Sequence, residues 1–376
     1  MSKFAVVRNV IFSVLLFGVS SSFAADQESA QVITKLPALL RKPGRYVLVS
    51  DLQLTRPGPA IRIIGRGITL DGQGHSISSA NSRSFNMVVQ KSSDVSIENL
   101  TVLKNGHAVE GSVRVDRSSA VSISNCTIGE LTLSVVSDST IQSNSILRSV
   151  ILRNSRKNVI NDNSLNGSFV SLQLSRSNDN LLKNNFIRSI SVYPAGIGLY
   201  RSSNNSLDRN IILSNAIGIA ITSNSAGNRL TNNTVQGGYR ALTMTAAVKR
   251  SVSKNNIFMW TSTLPGFRGV KYSRGTESDY NNYFYLGQEM VALHTDRNTA
   301  TVSQALTESC KVLRLIRRLR IDQNSLCTDP LLVDRAGDDV NLQSTSPMID
   351  AGDPSFGSDY LGGRIDIGAL EYAPVS

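Results

Sequence analysis

Histidine, cysteine and aromatic residues are scarce in this chain: three His, three Cys, one Trp and 6% aromatics in 376 residues. Three cysteines cannot build a disulfide scaffold, and with no CxxC pair or His/Cys cluster the sequence holds no metal-site pattern. Charged residues make up only 18%, too few for a coiled coil, a long-helix protein or a disordered polyampholyte. No apolar run reaches the roughly 18 residues that cross a bilayer as a helix, which excludes a polytopic membrane protein. Acid is also short, with 28 Asp and Glu against 39 Lys and Arg and a net charge of +11. What abounds is asparagine, 31 residues, alongside 27 glycines.

The first 24 residues read as an export signal. Lys3 and Arg8 precede the apolar stretch Val10 to Val19, and Ser22-Phe23-Ala24 places small residues where a signal peptidase inspects the chain. Cleavage after Ala24 removes two positive charges and leaves +9, from +11 minus Lys3 and Arg8. The expected compartment is the periplasm or the extracellular space. A basic exported protein meets anionic polymers and surfaces there. No helix-turn-helix, RNP-like or zinc-finger pattern points to nucleic acid. Lys311, Arg314, Arg317, Arg318 and Arg320 crowd one short segment, which reads as a solvated helix face.

From about residue 95 one phrase returns, built of an apolar residue, two polar ones, an asparagine and another apolar pair. Its asparagines are Asn99, Asn125, Asn144, Asn163, Asn185, Asn210, Asn233, Asn255 and Asn281, spaced by 19 to 26 residues. A near-constant period of this length marks a repeat architecture. Each copy holds short alternating stretches such as Val113-Arg114-Val115 and Ile217 to Ile221, too short for helices. The leucine-rich consensus and paired propeller-blade motifs are absent. An all-β coil of short strands stacking on itself, a single-stranded parallel β-helix solenoid, is therefore expected, with about nine or ten coils. Asparagine suits its turns, because it tolerates the left-handed conformation and its amide bonds the same amide one coil away. The nine asparagines are read as structural.

The pattern resembles the right-handed parallel β-helix superfamily of pectin-lyase type, in particular carbohydrate-binding and sugar-hydrolase (CASH) domains and NosD-like periplasmic proteins. GRGITLDGQGHSI (Gly65 to Ile77) is similar to the opening coil of such proteins, and SDYNNYFY (Ser278 to Tyr285) to a late one. Asp329 to Asp353, followed by DIGALEY (Asp366 to Tyr372), resembles the closing segment of many secreted bacterial β-helix proteins, with IDQNSLCTDP (Ile321 to Pro330) as its lead-in. The resemblance spans roughly residues 45 to 372 and implies the right-handed fold. The superfamily mixes lyases, hydrolases, epimerases and non-catalytic binders, so it does not fix an activity.

The expected organisation is a signal peptide (1–24), an N-terminal cap (25–64), the β-helix (65–300), and a helical insert with the C-terminal closing segment (301–376). The short helical insert near the C-terminus rests on the apolar spacing of Leu306, Val312, Leu313, Leu315, Ile316 and Leu319. Cys310 and Cys327 flank it and are a disulfide candidate in an oxidising compartment. Cys126 follows a repeat asparagine and reads as a small buried thiol.

Glycoside hydrolysis needs two carboxylates about 5 to 9.5 Å apart, yet the middle of the repeat is nearly acid-free, with Asp138, Asp162, Asp179 and Asp208 beside turn asparagines. The tandem aspartates and Gly-His-Gly loop of polygalacturonases, the calcium aspartates of pectate lyases and the Asp-Pro-His motif of related epimerases are absent. If the protein is an enzyme, β-elimination is favoured over hydrolysis, since cations outnumber carboxylates there; calcium is the cofactor such chemistry recruits. His107, Tyr200 and Arg201 are the weak catalytic candidates, His107 because it lies near both Glu110 and Arg114. A register counted back from the repeat asparagines puts Val115, Leu152, Leu174, Leu199, Met244 and Tyr272 inward, with Ile221 one residue off. It puts Gly196, Gly198, Gly218, Ala220, Ala241 and Thr243 outward as a floor of small residues. Tyr193, Tyr200, Arg201, Tyr239 and Arg240 would rim this floor and bind a sugar chain, tyrosine by stacking and arginine by gripping carboxylates. Lys104, His107, Arg114, Arg148, Arg153 and Arg188 form a second cationic group. His75 reads as structural, and His294 as lying beyond the repeats. No metal site is expected.

The functional expectation is an exported monomer that binds, and in one form cleaves by β-elimination, an anionic polysaccharide along a lateral face. The alternatives are a non-catalytic carbohydrate-binding or cell-surface structural protein, and a NosD-like periplasmic assembly factor.

Overall fold

The computed structural model describes residues 30–79, 85–104, 107, 110–167, 171–190, 195–245, 247–261, 269–273, 275–286, 293–295, 298–299, 322–335, 338–356 and 360–373. The signal segment, the helical insert, Tyr193 and Cys310 lie outside the described residues.

Short β-branched stretches cut by Asn, Ser and Gly yield short strands that turn a corner every few residues. The chain winds about ten turns into a ladder of 33 strands, parallel but for one pairing near its end. Three sheets run along the axis. Sheet A includes Leu172–Ser175, Ala195–Tyr200, Ile217–Thr222 and Arg240–Met244. Sheet B includes Leu181–Lys183, Ser206–Asp208 and Arg229–Thr231. Sheet C includes Phe186–Ser189, Ile211–Ser214, Thr234–Gly237 and Ile257–Trp260. The chain passes from A to B to C and then to A one coil on. Among the described residues there is no α-helix.

Alternate side chains point into the bore, and like residues stack coil over coil. Val115, Leu133, Leu152, Leu174, Leu199, Ile221 and Met244 align in one column of sheet A. All are buried, so Ile221 is in register with the rest.

Corners are made by single residues in the left-handed region followed by an inward polar side chain. At the B–C corner Asn144, Asn163, Asn185, Asn210, Asn233, Asn256 and Asn281 form an inward column. From Asn163 on, each side-chain oxygen in it accepts from the backbone N–H of the asparagine one coil earlier, at 2.9–3.1 Å, and that of Asn144 accepts from the Cys126 N–H at 2.9 Å. The side-chain amide of each donates to the next at 2.9–3.0 Å along the same column. This gives buried polar groups the partners they need.

Three of the nine repeat asparagines do not belong to that column. Asn99, Asn125 and Asn255 are the left-handed residues themselves, with φ of 53°, 52° and 57°. The inward positions beside them are held by Leu100, Cys126 and Asn256. In an Asn-Asn pair the backbone needs one for its dihedral and the other for its amide, and residue type cannot say which.

The A–B corner carries a second device. Ser155, Ser177, Ser202 and Ser225 stack through N–H to hydroxyl bonds of 3.0–3.1 Å. Three residues on, Asn158, Asn180, Asn205 and Asn228 form another amide column. This Ser-x-x-Asn repeat is visible in the sequence once the corner is known.

The C-terminal part of the bore turns polar. Asp322 follows the undescribed insert yet re-enters the helix: Leu326 pairs parallel with Asn282, and Ser325 Oγ accepts the Asn281 N–H at 2.9 Å. The lead-in of the sequence reading is thus a further B–C corner. Asp322 Oδ1 accepts from Tyr283 Oη (2.8 Å), Ser278 Oγ (2.8 Å) and Ser325 Oγ (2.7 Å), while Oδ2 is buried without a partner. Burial pushes this carboxyl above the usual range, although the three hydroxyls oppose the shift.

The closing segment packs against the side of the solenoid. Leu332, Val340, Leu342, Met348 and Ile367 cover outward Leu213, Ile257, Met259 and Phe284 of sheet C, forming a second apolar core. His294 also departs from expectation: it pairs with Lys271 in a further strand of sheet A.

Candidate functional site on the outer face of sheet A

The outer face of sheet A corresponds to the lateral surface expected to bind, but its floor is half the size expected. Gly198, Ala220 and Thr243 align in one outward row, preceded by Gln173. Gly196, Gly218 and Ala241 are buried and turn inward at the C–A corner. A Cβ on Gly196 would sit 2.6 Å from Ile212 Cγ2, and one on Gly218 would sit 2.6 Å from the Ala241 carbonyl oxygen. Those residues are small because the corner is tight. The alternation breaks there by one residue, which a strict two-residue period cannot anticipate.

At the A–B edge the next outward row is Arg153, Ser175, Tyr200 and Thr222. Arg176 and Arg201 follow directly, each in the left-handed conformation with φ of 51° and 50°. Arg153, Arg176, Tyr200 and Arg201 are all exposed. Coils stack about 4.8 Å apart, so Arg176 and Arg201 stand as neighbours on one rim, with Arg153 one coil before. The Arg201 guanidinium lies 5.2 Å from the Tyr200 ring centre. Among the described residues no carboxylate pairs with any of the three arginines; Asp116, two coils before Arg153 in the same row, is bound to Arg114 and Arg117.

A left-handed residue other than glycine costs about 1–2 kcal/mol, least for Asn and Asp. At the B–C corner such positions are often Asn or Asp, as at Asn99, Asp162 and Asn184, whereas the equivalent A–B positions in other coils are Lys91, Arg117, Val135, Asn154 and Ser223. The arginines are not what the backbone prefers. Arg176 was not singled out from sequence, although it shares with Arg201 the place directly before a column serine.

Tyr239 and Arg240 lie at the opposite, C–A edge, where Arg240 pairs with Ile217. Both are half-buried and engaged in contacts of their own. The structure therefore separates the expected rim residues into two sides of one sheet. His107 does not assemble the expected cluster: it is exposed in a tight turn bridged to Lys104. Glu110 faces Lys104 at 3.9 Å, and Arg114 faces Asp116 at 3.3 Å. Burial raises the Asp116 carboxyl, but hydrogen bonds and charge from Arg117 and Arg114 more than offset it and hold it below the usual range. The second cationic group is likewise dispersed, with Arg114 and Arg153 on sheet A and Arg188 on sheet C.

The fold defines a right-handed parallel β-helix protein with an exposed arginine cluster along one edge of a lateral sheet. The chain belongs to the family described as periplasmic copper-binding protein (NosD), which it matches over residues 51–275 and 189–305. Among solved structures, the Dettilon tailspike protein is similar at 13% identity and a TM-score of 0.48, over 68% of this chain; the chain spans 61% of the tailspike chain. Pectate lyase Pel9A is similar at 10% identity and 0.42, over 92% of this chain and 86% of its own. DFA-IIIase from Arthrobacter chlorophenolicus A6 is similar at 12% identity and 0.39, over 77% and 82%. No curated protein sequence matches significantly.

The family description implies copper, and the described residues do not fit it. Among them no group of three His, Cys, Asp or Glu converges. His75 faces Asp51 at 3.6 Å, and exposed His107 is held in a separate turn bridged to Lys104. The Cys126 thiol is buried and pushed up to about 12 by desolvation, which makes it a poor metal ligand.

Proposed function

We propose that the protein is an exported recognition module that holds an anionic polysaccharide along the outer face of sheet A, without cleaving it. The observation that carries this reading is the exposed trio Arg153, Arg176 and Arg201 beside Tyr200, three guanidiniums without a carboxylate partner among the described residues. Arginine grips a carboxylate with two parallel hydrogen bonds. The coil spacing repeats that grip at a distance comparable to a sugar unit. The small row of Gly198, Ala220 and Thr243 leaves a flat bed, and Tyr200 supplies a stacking ring. Membership of a periplasmic family and the N-terminal export signal support the compartment.

Catalysis fits this face poorly. Hydrolysis needs a pair of carboxylates, whereas Asp116 of the Arg153 row is tied up by Arg114 and Arg117. Arg153, Arg176 and Arg201 have no carboxylate partner among the described residues. Elimination needs a base against the C5 proton, and Tyr200 is the one candidate in these rows. The test is to incubate the mature protein with polygalacturonate, alginate and a neutral glucan, with and without calcium. Co-sedimentation reports binding, and ultraviolet absorbance reports unsaturated product. Retention of the polyuronates without absorbance is expected. The triple variant Arg153→Ala, Arg176→Ala, Arg201→Ala should bind roughly 100-fold more weakly, at about 1 kcal/mol for each exposed charged contact. Unchanged affinity in that variant removes the sheet A site; rising absorbance makes the protein a lyase.

A further inference from the structure

A separate cleft lies on sheet C, where the C-terminal segment stops covering it. It encloses about 250 Å³. Pockets for drug-sized ligands measure roughly 300–1,000 Å³, so this smaller space suits a single hexose-sized molecule. Arg188, Asn215 and Gln236 line it from the solenoid, and Arg335 and Asp338 from the closing segment.

Its polar groups are unevenly satisfied. Arg335 donates through Nη2 to Asp329 at 2.6 Å and lies over Phe284 at 5.1 Å, while its Nε is shut off from solvent without an acceptor. Asn215 donates through Nδ2 to the Ile190 carbonyl. Arg188 donates to Asp338. Asp338 ends the turn between Leu332–Asp334 and Asp339–Leu342, and it holds a left-handed φ of 67°. The closing segment is already tied to the solenoid by a second apolar core and by bonds such as Asp353 N–H to Asn255 Oδ1 at 2.7 Å. The Arg188–Asp338 pair is exposed enough on the arginine side, at 49%, that it adds little to that attachment.

We propose that the cleft is a monosaccharide site for an acidic sugar, either a uronate or a sugar phosphate. The ligand anion takes the place of the Asp338 carboxylate on Arg188, and Arg335 adds positive charge to the same lining. Its hydroxyls meet the Gln236 and Asn215 amides. Asp338 is then an internal stand-in for the ligand anion and competes with it. The site is independent of the proposed polysaccharide face, which lies on another sheet.

Calorimetric titration with galacturonate, glucose 1-phosphate and neutral galactose tests the assignment. One or both acidic sugars should bind, galactose should not, and the stronger of the two identifies the source of the anion. Asp338→Asn removes the competing carboxylate and should tighten binding about tenfold. Arg188→Ala should abolish binding, and Arg188→Lys should restore part of it, with melting curves confirming that each variant is folded. Triple replacement of Arg153, Arg176 and Arg201 should leave monosaccharide binding unchanged, which separates failure of this site from failure of the sheet A reading. If neither acidic sugar binds the Asp338→Asn protein, or Arg188→Ala binds as wild type does, the assignment is wrong.

Discussion

Replacing Asn210 by leucine is a direct test of the amide column, because the two side chains have nearly the same shape. Asn210 Nδ2 donates to the carbonyls of Leu182 (2.9 Å) and Asp208 (3.1 Å) and to Asn233 Oδ1 (3.0 Å). Its oxygen accepts from the backbone N–H (3.1 Å) and the side-chain amide (2.9 Å) of Asn185. Leucine removes all five contacts. Asn185 Nδ2 keeps the Ile160 carbonyl at 2.8 Å, and Asn233 Oδ1 keeps the Asn210 N–H at 3.0 Å, but the Asn185 N–H loses its acceptor inside the protein. Five net contacts at about 1 kcal/mol each, including that orphaned donor, amount to about 5 kcal/mol. Burying the leucine returns about 2 kcal/mol. The expected loss is about 3 kcal/mol, read as a lower urea midpoint by circular dichroism. Asn166→Leu, at an exposed strand position of sheet C, should stay within about 0.5 kcal/mol. If Asn210→Leu unfolds at the same urea concentration as the wild type, the column contributes nothing and the argument fails.

Cys126→Asn should raise stability by about 1 kcal/mol, because the thiol already stands in the amide column. Its Sγ lies 3.2 Å from the Ser124 carbonyl, and the Cys126 N–H donates to Asn144 Oδ1 at 2.9 Å; a lower melting temperature would refute this. Gly218→Val should cost about 3 kcal/mol or more by overpacking, since its Cβ points at Val235 and the Ala241 carbonyl, whereas Gly198→Ser faces outward and should be neutral. Equal effects would mean that the two glycines share a face. Asp322 gives a pH test. Its folded pKa is raised by burial above the ordinary 3.8, so its contribution to stability is fully present at low pH and is lost as pH rises through the folded value. The melting temperature of Asp322→Asn relative to wild type should therefore climb as pH is raised from about 4; a constant gap would show that Asp322 does not titrate differently on folding.

Periodicity, residue class and the order of apolar and polar positions are local properties, and they were sufficient for the architecture. The asparagine spacing points to the solenoid, the inward column from Val115 to Met244 follows from counting, and burial of Cys126 follows from its place beside a repeat asparagine. Tertiary structure decided everything that depends on how one coil sits on the next. It chose Asn256 over Asn255 for the inward amide, and it turned Gly196, Gly218 and Ala241 into the corner. It set Arg176 beside Arg201 although 25 residues separate them, and it parted Tyr200 from Tyr239 across the width of a sheet. It also brought Asp338 to Arg188 over a separation of 150 residues by laying the closing segment along sheet C. The physical reason is the same in each case: a side chain's neighbours in a β-helix are one coil away, and coils of unequal length place those neighbours by register rather than by any fixed count along the chain.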